Sequence, residues 1–308
     1  MPEDLDFKQA AEIRRLAGER RAVILAHYYC RPAVQEAADF VGDSLGLAQT
    51  AADSPAEVII FAGVHFMAET ASILCPDKTV ILANGGAGCP MADMVTAEAL
   101  AARKKELPDV QVLTYVNSPA AVKALSDICC TSANVGPVLR AMAGRTVLMT
   151  PDRNLAAFAQ KQVPEKEVVA WDGCCPIHDR LTKNDVAALK ALYPKAVTAA
   201  HPECRPEVLA EADFIGSTSA ILAHLAENPA REFIVLTEEG VGHQLNKRCP
   251  DKAFHFPPNM VCDDMKKVTL ADLAQALETL GPEVRVSEEI RQKALPAIQK
   301  MMAIKREA

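Results

Sequence analysis

The chain predicts an α/β protein made three times over: three homologous three-layer α/β modules, each with a parallel sheet, arranged around a pseudo-threefold axis. Three observations predict it. Strand-like apolar runs alternate with helical stretches along all 308 residues, the pattern of βαβ units with right-handed crossovers. Polar residues of related chemistry recur at the ends of those runs with a period near 87, too long for a solenoid and suited to a small α/β module. One cysteine follows the last strand of every repeat, at positions 89, 175 and 262.

The elements follow in order. The first strand of each repeat is Ala22–Ala26, Val110–Thr114 or Ala196–Ala200, ending at His27, Tyr115 or His201. Two residues on stand Tyr29, Asn117 and Glu203, and 17 residues past each strand end comes a hydroxyl, Ser44, Ser132 or Thr218, in a small-residue turn. A second strand follows at Val58–Ala62, Thr146–Thr150 and Phe233–Thr237, and a third at Thr79–Ala83, Glu167–Trp171 and Ala253–Phe256. Three strands per module are therefore expected. The modules divide as residues 1–88 with 265–308, 89–174, and 175–264. In the tail, Thr269 is placed to cap a helix over Leu270–Leu280 and Ser287 a final helix with Glu288 and Glu289 in its first turn. Both are expected to pack on the first module beside a helix near Asp4–Glu19.

In parallel sheets, ligand-binding residues gather beyond the carboxyl ends of the strands. All the polar residues named above fall there, so three modules facing one axis would share a central cavity. Cys89, Cys175 and Cys262 lie 45, 43 and 44 residues past their hydroxyls, a register that favours Cys175 over its neighbour Cys174. A lone loop cysteine is usually structural; three in register point instead to a shared metal. Three thiolates can hold zinc with His178 as fourth ligand, or an iron–sulfur cluster with one iron free.

His27, His178 and His201 are candidate functional residues, while His65, His224, His243 and His255 lack repeat partners and are taken as structural or surface. Cys30, Cys129, Cys130 and Cys204 are expected as small apolar filler, and Cys75 and Cys249 as peripheral. Ser44, Ser132 and Thr218 have the form of helix N-caps. Such helix starts also suit phosphate or carboxylate groups, because free N–H groups and the helix dipole converge there.

Composition narrows the class. No apolar run approaches the roughly 20 residues of a membrane span. A net charge of −7 argues against a general nucleic-acid binder, which needs a basic face. The acidic opening Met-Pro-Glu-Asp lacks the basic and apolar regions of a signal peptide, so a cytoplasmic location is expected. In such a setting ten cysteines point to metal binding or catalysis more than to a disulfide framework.

At this point the motifs resemble a known family. Ala26-His27-Tyr28-Tyr29, Gly42-Asp43-Ser44, Gly88-Cys89-Pro90, Tyr115-Val116-Asn117-Ser118, Thr131-Ser132-Ala133-Asn134, Cys175-Pro176-Ile177-His178, His201-Pro202-Glu203-Cys204, Gly216-Ser217-Thr218-Ser219 and Asn259-Met260-Val261-Cys262 stand in order along nearly the whole chain. Together they resemble the quinolinate synthases. The resemblance implies a 4Fe–4S cluster held by Cys89, Cys175 and Cys262, with the fourth iron open to substrate. It implies condensation of iminoaspartate with dihydroxyacetone phosphate to quinolinate, phosphate and water, on the route to NAD. It carries binding or catalytic roles onto His27, Tyr29, Ser44, Tyr115, Asn117, Ser132, His178, His201, Glu203 and Thr218. Of these, Tyr29, Glu203, His27 and His201 are expected to carry the catalysis. A source of iminoaspartate, an oxidase or dehydrogenase, is the expected protein partner. The rivals are a zinc enzyme using the same cysteines with His178, and a non-catalytic iron–sulfur sensor.

Overall fold

The structure, a computed structural model, describes residues 7–306. Each repeat folds into a four-stranded, wholly parallel sheet. The first contains β1 (Ala22–His27), β2 (Phe40–Gly42), β3 (Val58–Ala62) and β4 (Thr79–Leu82), in the order β2-β1-β3-β4. The second contains β5 (Gln111–Tyr115), β6 (Ile128–Cys130), β7 (Thr146–Thr150) and β8 (Glu167–Ala170), and the third β9 (Val197–Ala200), β10 (Phe214–Ile215), β11 (Glu232–Leu236) and β12 (Ala253–His255). Both repeat the order of the first sheet. The chain is an α/β protein of three homologous modules, as the repeats predict.

Three of the four strands per module match the apolar runs, because a parallel strand covered on both faces is apolar throughout. All five residues of β3 are buried, for example. The strands that the sequence does not predict, β2, β6 and β10, are edges of two or three residues, too short to carry a period. One aspartate precedes each. Asp39, Asp127 and Asp213 accept a hydrogen bond from the backbone N–H of Ile24, Val112 and Thr198 at 2.8, 2.7 and 2.8 Å. They complete the ladder of the neighbouring strand just where the edge strand has not yet begun.

The order 2-1-3-4 puts the switch point, where the strand order reverses, between the first and third strands of each module. The crevice beyond their carboxyl ends is the usual ligand site of such sheets.

The helix Leu270–Thr279 is capped by Thr269 in a capping box with Asp272 and packs on the first module's helix Phe7–Glu19. Asp4–Asp6, where the sequence starts that helix, lie outside the described residues. Ser287 stands at the N-cap of the final helix, Glu288–Ala303, but makes no capping bond with its side chain. That helix does not rest on the first module alone. It lies along the seam, against the helix His65–Leu74 on one side and β6 with the helix Ala120–Lys123 on the other. Among the described residues, no helix is long and apolar enough to cross a membrane.

Candidate active site

The ends of the central strands converge on one cavity of about 200 Å³. His27 ends β1, Tyr115 ends β5 and His201 follows β9; all three line it, with Tyr29, Asn117 and Glu203 two residues on. Ser44, Ser132 and Thr218, the thiols of Cys89, Cys175 and Cys262, and His178 share the same walls. The four remaining histidines are spent elsewhere: His224 stacks on Phe214, His255 on Tyr193, His243 pairs with Glu36, and His65 lies 4.0 Å from Glu69. Cys30, Cys129, Cys130 and Cys204 are wholly buried, and the Cys30 and Cys204 thiols donate to the carbonyls of Ala62 and Leu236. Cys75 and Cys249 are buried as well, away from the cavity.

The hydroxyls are not the helix caps that the sequence suggests. Asp43 caps the helix Ser44–Asp53, accepting from the Gly46 N–H, and Ser217 caps Thr218–Glu227, accepting from the Ala220 N–H. Ser44 and Thr218 are thus the first helical residues, with hydroxyls free for other partners. In the second module a longer turn intervenes, and Ser132 precedes Asn134, the residue before the helix Val135–Ala141. A cap needs the residue just outside the helix, and in each repeat the reactive hydroxyl misses that position.

His27 and His201 are held alike. The backbone N–H of Tyr29 donates to His27 Nδ1 at 3.2 Å, and that of Glu203 to His201 Nδ1 at 3.3 Å. An accepting Nδ1 places the proton on Nε2 of a neutral ring. Burial lowers both pKa values, to about 4 for His27 and about 3 for His201. At neutral pH each ring therefore offers an uncharged N–H, and His201 Nε2 lies 3.2 Å from Ser132 Oγ.

Glu203 is buried and does not pair with Arg205, which binds Asp179 instead. One carboxylate oxygen accepts from the Tyr115 hydroxyl at 2.7 Å, and the other lies 2.7 Å from His178 Nδ1. Burial opposes its charge, but the hydrogen bonds it accepts from His178 and Tyr115 counter that and help hold its pKa down. With Nδ1–H directed at Glu203, His178 Nε2 accepts from Thr237 Oγ1 at 2.9 Å. Thr237 Oγ1 in turn meets the Tyr29 hydroxyl at 2.8 Å, and Thr218 Oγ1 meets the same hydroxyl at 2.9 Å. A continuous hydrogen-bonded chain thus runs Tyr29–Thr237–His178–Glu203. Burial, and then the charge of Glu203, pushes the phenols of Tyr29 and Tyr115 well above their ordinary range, so both keep their protons. Sequence reasoning missed Thr237, although it ends a predicted strand and the strand-end rule applied to second strands would have found it.

Two loops supporting the cysteines also share a device. The Cys175 N–H donates to Asp152 Oδ2 at 3.0 Å and the Cys262 N–H to Glu238 Oε1 at 3.1 Å. The carboxylates stand at corresponding places just past β7 and β11, where the first repeat has Val64. Asn117 Oδ1, also on the cavity wall, is buried with no hydrogen-bond partner. A buried acceptor left unpaired is costly, and this one is available to a ligand's donor.

Residues 11–303 match the family described as Quinolinate synthetase A protein. The chain belongs to the quinolinate synthase family. A quinolinate synthase of Desulforudis audaxviator is 49% identical over 303 residues, covering 98% of this chain and 100% of the relative. One of Geobacter metallireducens is 52% identical over 297 residues, 96% and 97% of the two chains. Quinolinate synthase 2 of Methanosarcina acetivorans is 48% identical over 296 residues, 96% and 95%. Similarity over the whole length marks this quinolinate synthase family member as an enzyme and sets aside the sensor reading.

The family's cavity here is compatible with a metal cofactor. Ligand atoms of Cys175, His178 and Glu203 all lie within 4.8 Å of one another, the only such trio among the described residues. The three repeat cysteines, by contrast, are not gathered that tightly.

Proposed function

We propose that the enzyme condenses iminoaspartate with dihydroxyacetone phosphate to quinolinate, phosphate and water, with a 4Fe–4S cluster held by Cys89, Cys175 and Cys262. The Tyr29–Thr237–His178–Glu203 chain, whose Tyr29, His178 and Glu203 line the same cavity as these thiols, carries this reading. Closing a pyridine ring from two acyclic pieces involves isomerisation, imine formation and dehydration, all proton transfers without net redox change. A buried phenol and a buried carboxylate joined by a relay suit that work.

The thiol spacing favours a cluster over one ion. Zinc with sulfur bonds of about 2.3 Å needs its thiolates much closer together than a polynuclear group does. When bound, the cluster supplies a Lewis-acidic iron. The protein residues do the rest. His27 and His201 present neutral Nε2–H groups to developing negative charge on the triose, and Asn117 Oδ1 takes a donor from substrate. Ser44, Ser132 and Thr218 bind the anionic groups. Tyr29 and Glu203 exchange protons with the reacting carbons through the relay. The partner that fits this chemistry is an oxidase or dehydrogenase that makes iminoaspartate.

Anaerobic assay of quinolinate from the two substrates tests the reading; no product from a brown preparation containing iron and sulfide would refute it. The second reading, a zinc enzyme, draws on the Cys175, His178 and Glu203 trio. A colourless preparation with stoichiometric zinc would support it.

The hydroxyls give a separate expected outcome. Ser44→Ala and Ser132→Ala each raise KM for at least one substrate by about 10-fold, the scale of one hydrogen bond to a charged group, with iron content unchanged. Thr218→Ala also lowers kcat, because its Oγ1 supports the Tyr29 hydroxyl. Steady-state kinetics that stay unaltered in all three variants would leave these hydroxyls no part in binding substrate.

A further inference from the structure

Asp43 is buried in the wall of the cavity and is bridged by a residue from the other end of the described chain. Arg306, past the helix Glu288–Ala303, donates through Nη1 to Asp43 Oδ2 at 2.7 Å and through Nη2 to Oδ1 at 2.9 Å. The same Oδ1 accepts from the Gly46 N–H at 2.9 Å, the bond that caps the helix beginning at Ser44. One carboxylate therefore joins the segment after the last helix to the turn that presents Ser44. Such a two-pronged pairing is the geometry at which arginine differs most from lysine.

Room has been kept for the guanidinium. A Cβ at Gly46 would stand 3.0 Å from Arg306 Nη2 and 3.4 Å from Asp43 Oδ1. Glycine is a poor choice inside a helix, and here its bareness lets Arg306 approach. The same segment is tied a second time. Asn134 Nδ2, beside Ser132, donates to the carbonyls of Met301 and Ile304 at 3.0 and 3.2 Å. Asp43 also lies close enough to His27 and His201 for its charge to bear on both rings.

We propose that Arg306 is a positioning residue for the cavity: it neutralises Asp43 and holds the turn that presents Ser44, so an anionic ligand meets a hydroxyl rather than a bare carboxylate. This rests on the reading that the cavity takes anionic substrates.

The test uses cluster-loaded enzyme as wild type, Arg306→Ala, Arg306→Lys, Gly46→Ala and the Gly46→Ala/Arg306→Ala double variant. It measures kcat and KM for dihydroxyacetone phosphate, and calorimetric Kd for inorganic phosphate. Arg306→Ala is expected to raise both KM and Kd by about 10-fold with kcat little changed, and Arg306→Lys to recover part of the loss. Gly46→Ala raises both constants in the wild type and adds nothing once Arg306 is gone, because the two changes act through one contact. Unchanged constants in Arg306→Ala, a fall in kcat alone, or a Gly46→Ala effect of equal size in both backgrounds would overturn the proposal. So would a wild type that binds no phosphate. If the wild type binds phosphate but forms no quinolinate, the assigned reaction fails while the phosphate titrations still decide the role of Arg306.

Discussion

Single replacement of Cys89, Cys175 or Cys262 by serine is expected to remove most of the bound iron and sulfide and nearly all turnover. Each thiol is one of the three protein ligands proposed for the cluster, so losing any one leaves two. The contrast that makes the result informative is Cys174→Ser, expected to keep both cluster and activity. The two neighbours occupy different surroundings. Cys175 lines the cavity, its N–H is fixed by Asp152 and its thiol lies 3.3 Å from His178 Nδ1. The Cys174 N–H turns to Met94 Sδ at 3.3 Å, and its side chain lies near Arg153 and Asp179 rather than on the cavity wall. Iron and acid-labile sulfide per chain, measured anaerobically, check the outcome. Loss of the cluster in the Cys174 variant with retention in the Cys175 variant would shift the ligand assignment by one residue.

Tyr29→Phe and Glu203→Gln are each expected to lower turnover by about 10²-fold or more, the usual contribution of a general acid or base, with the cluster intact. Both substitutions keep side-chain volume, so the cavity walls should hold their shape. Phenylalanine removes the hydroxyl that starts the relay, leaving Thr237 and Thr218 without that partner. Glutamine removes the charge toward which His178 Nδ1–H and the Tyr115 hydroxyl are directed. The changes lie at opposite ends of one hydrogen-bonded chain, so the double variant should lose much less than the product of the two single effects. Single-turnover rates in protein with full iron content measure this. Near-normal turnover in either variant would take that residue out of the mechanism.

Much of the fold was legible because it repeats and is buried. Ile24, Leu25, Ile59 and Ile60 are wholly inaccessible, and a parallel strand covered on both sides has to be apolar at successive positions. Triplication then gave each strand end two independent counterparts. His27, Tyr115 and His201, or Cys89, Cys175 and Cys262, could be aligned by counting alone. Pseudo-symmetry turned equal spacing along the chain into convergence in space, which is why Tyr29 and Glu203 could be expected in one cavity.

What the repeats do not share was decided by the tertiary structure. Thr237 links Tyr29 to His178, and neither of its partners is near it in sequence. Ser44 and Thr218 have cap-forming chemistry, yet the caps are Asp43 and Ser217, because a one-residue difference in where the helix begins sets which side chain reaches the free N–H groups. The edge strands β2, β6 and β10 have too few residues to show a period, and pairing to a neighbouring strand alone makes them strands. Arg306 lies 263 residues from Asp43, and only the final helix running along the seam between two modules brings them together. Periodic burial leaves its record in local sequence; a hydrogen bond between distant segments leaves none until the chain has folded.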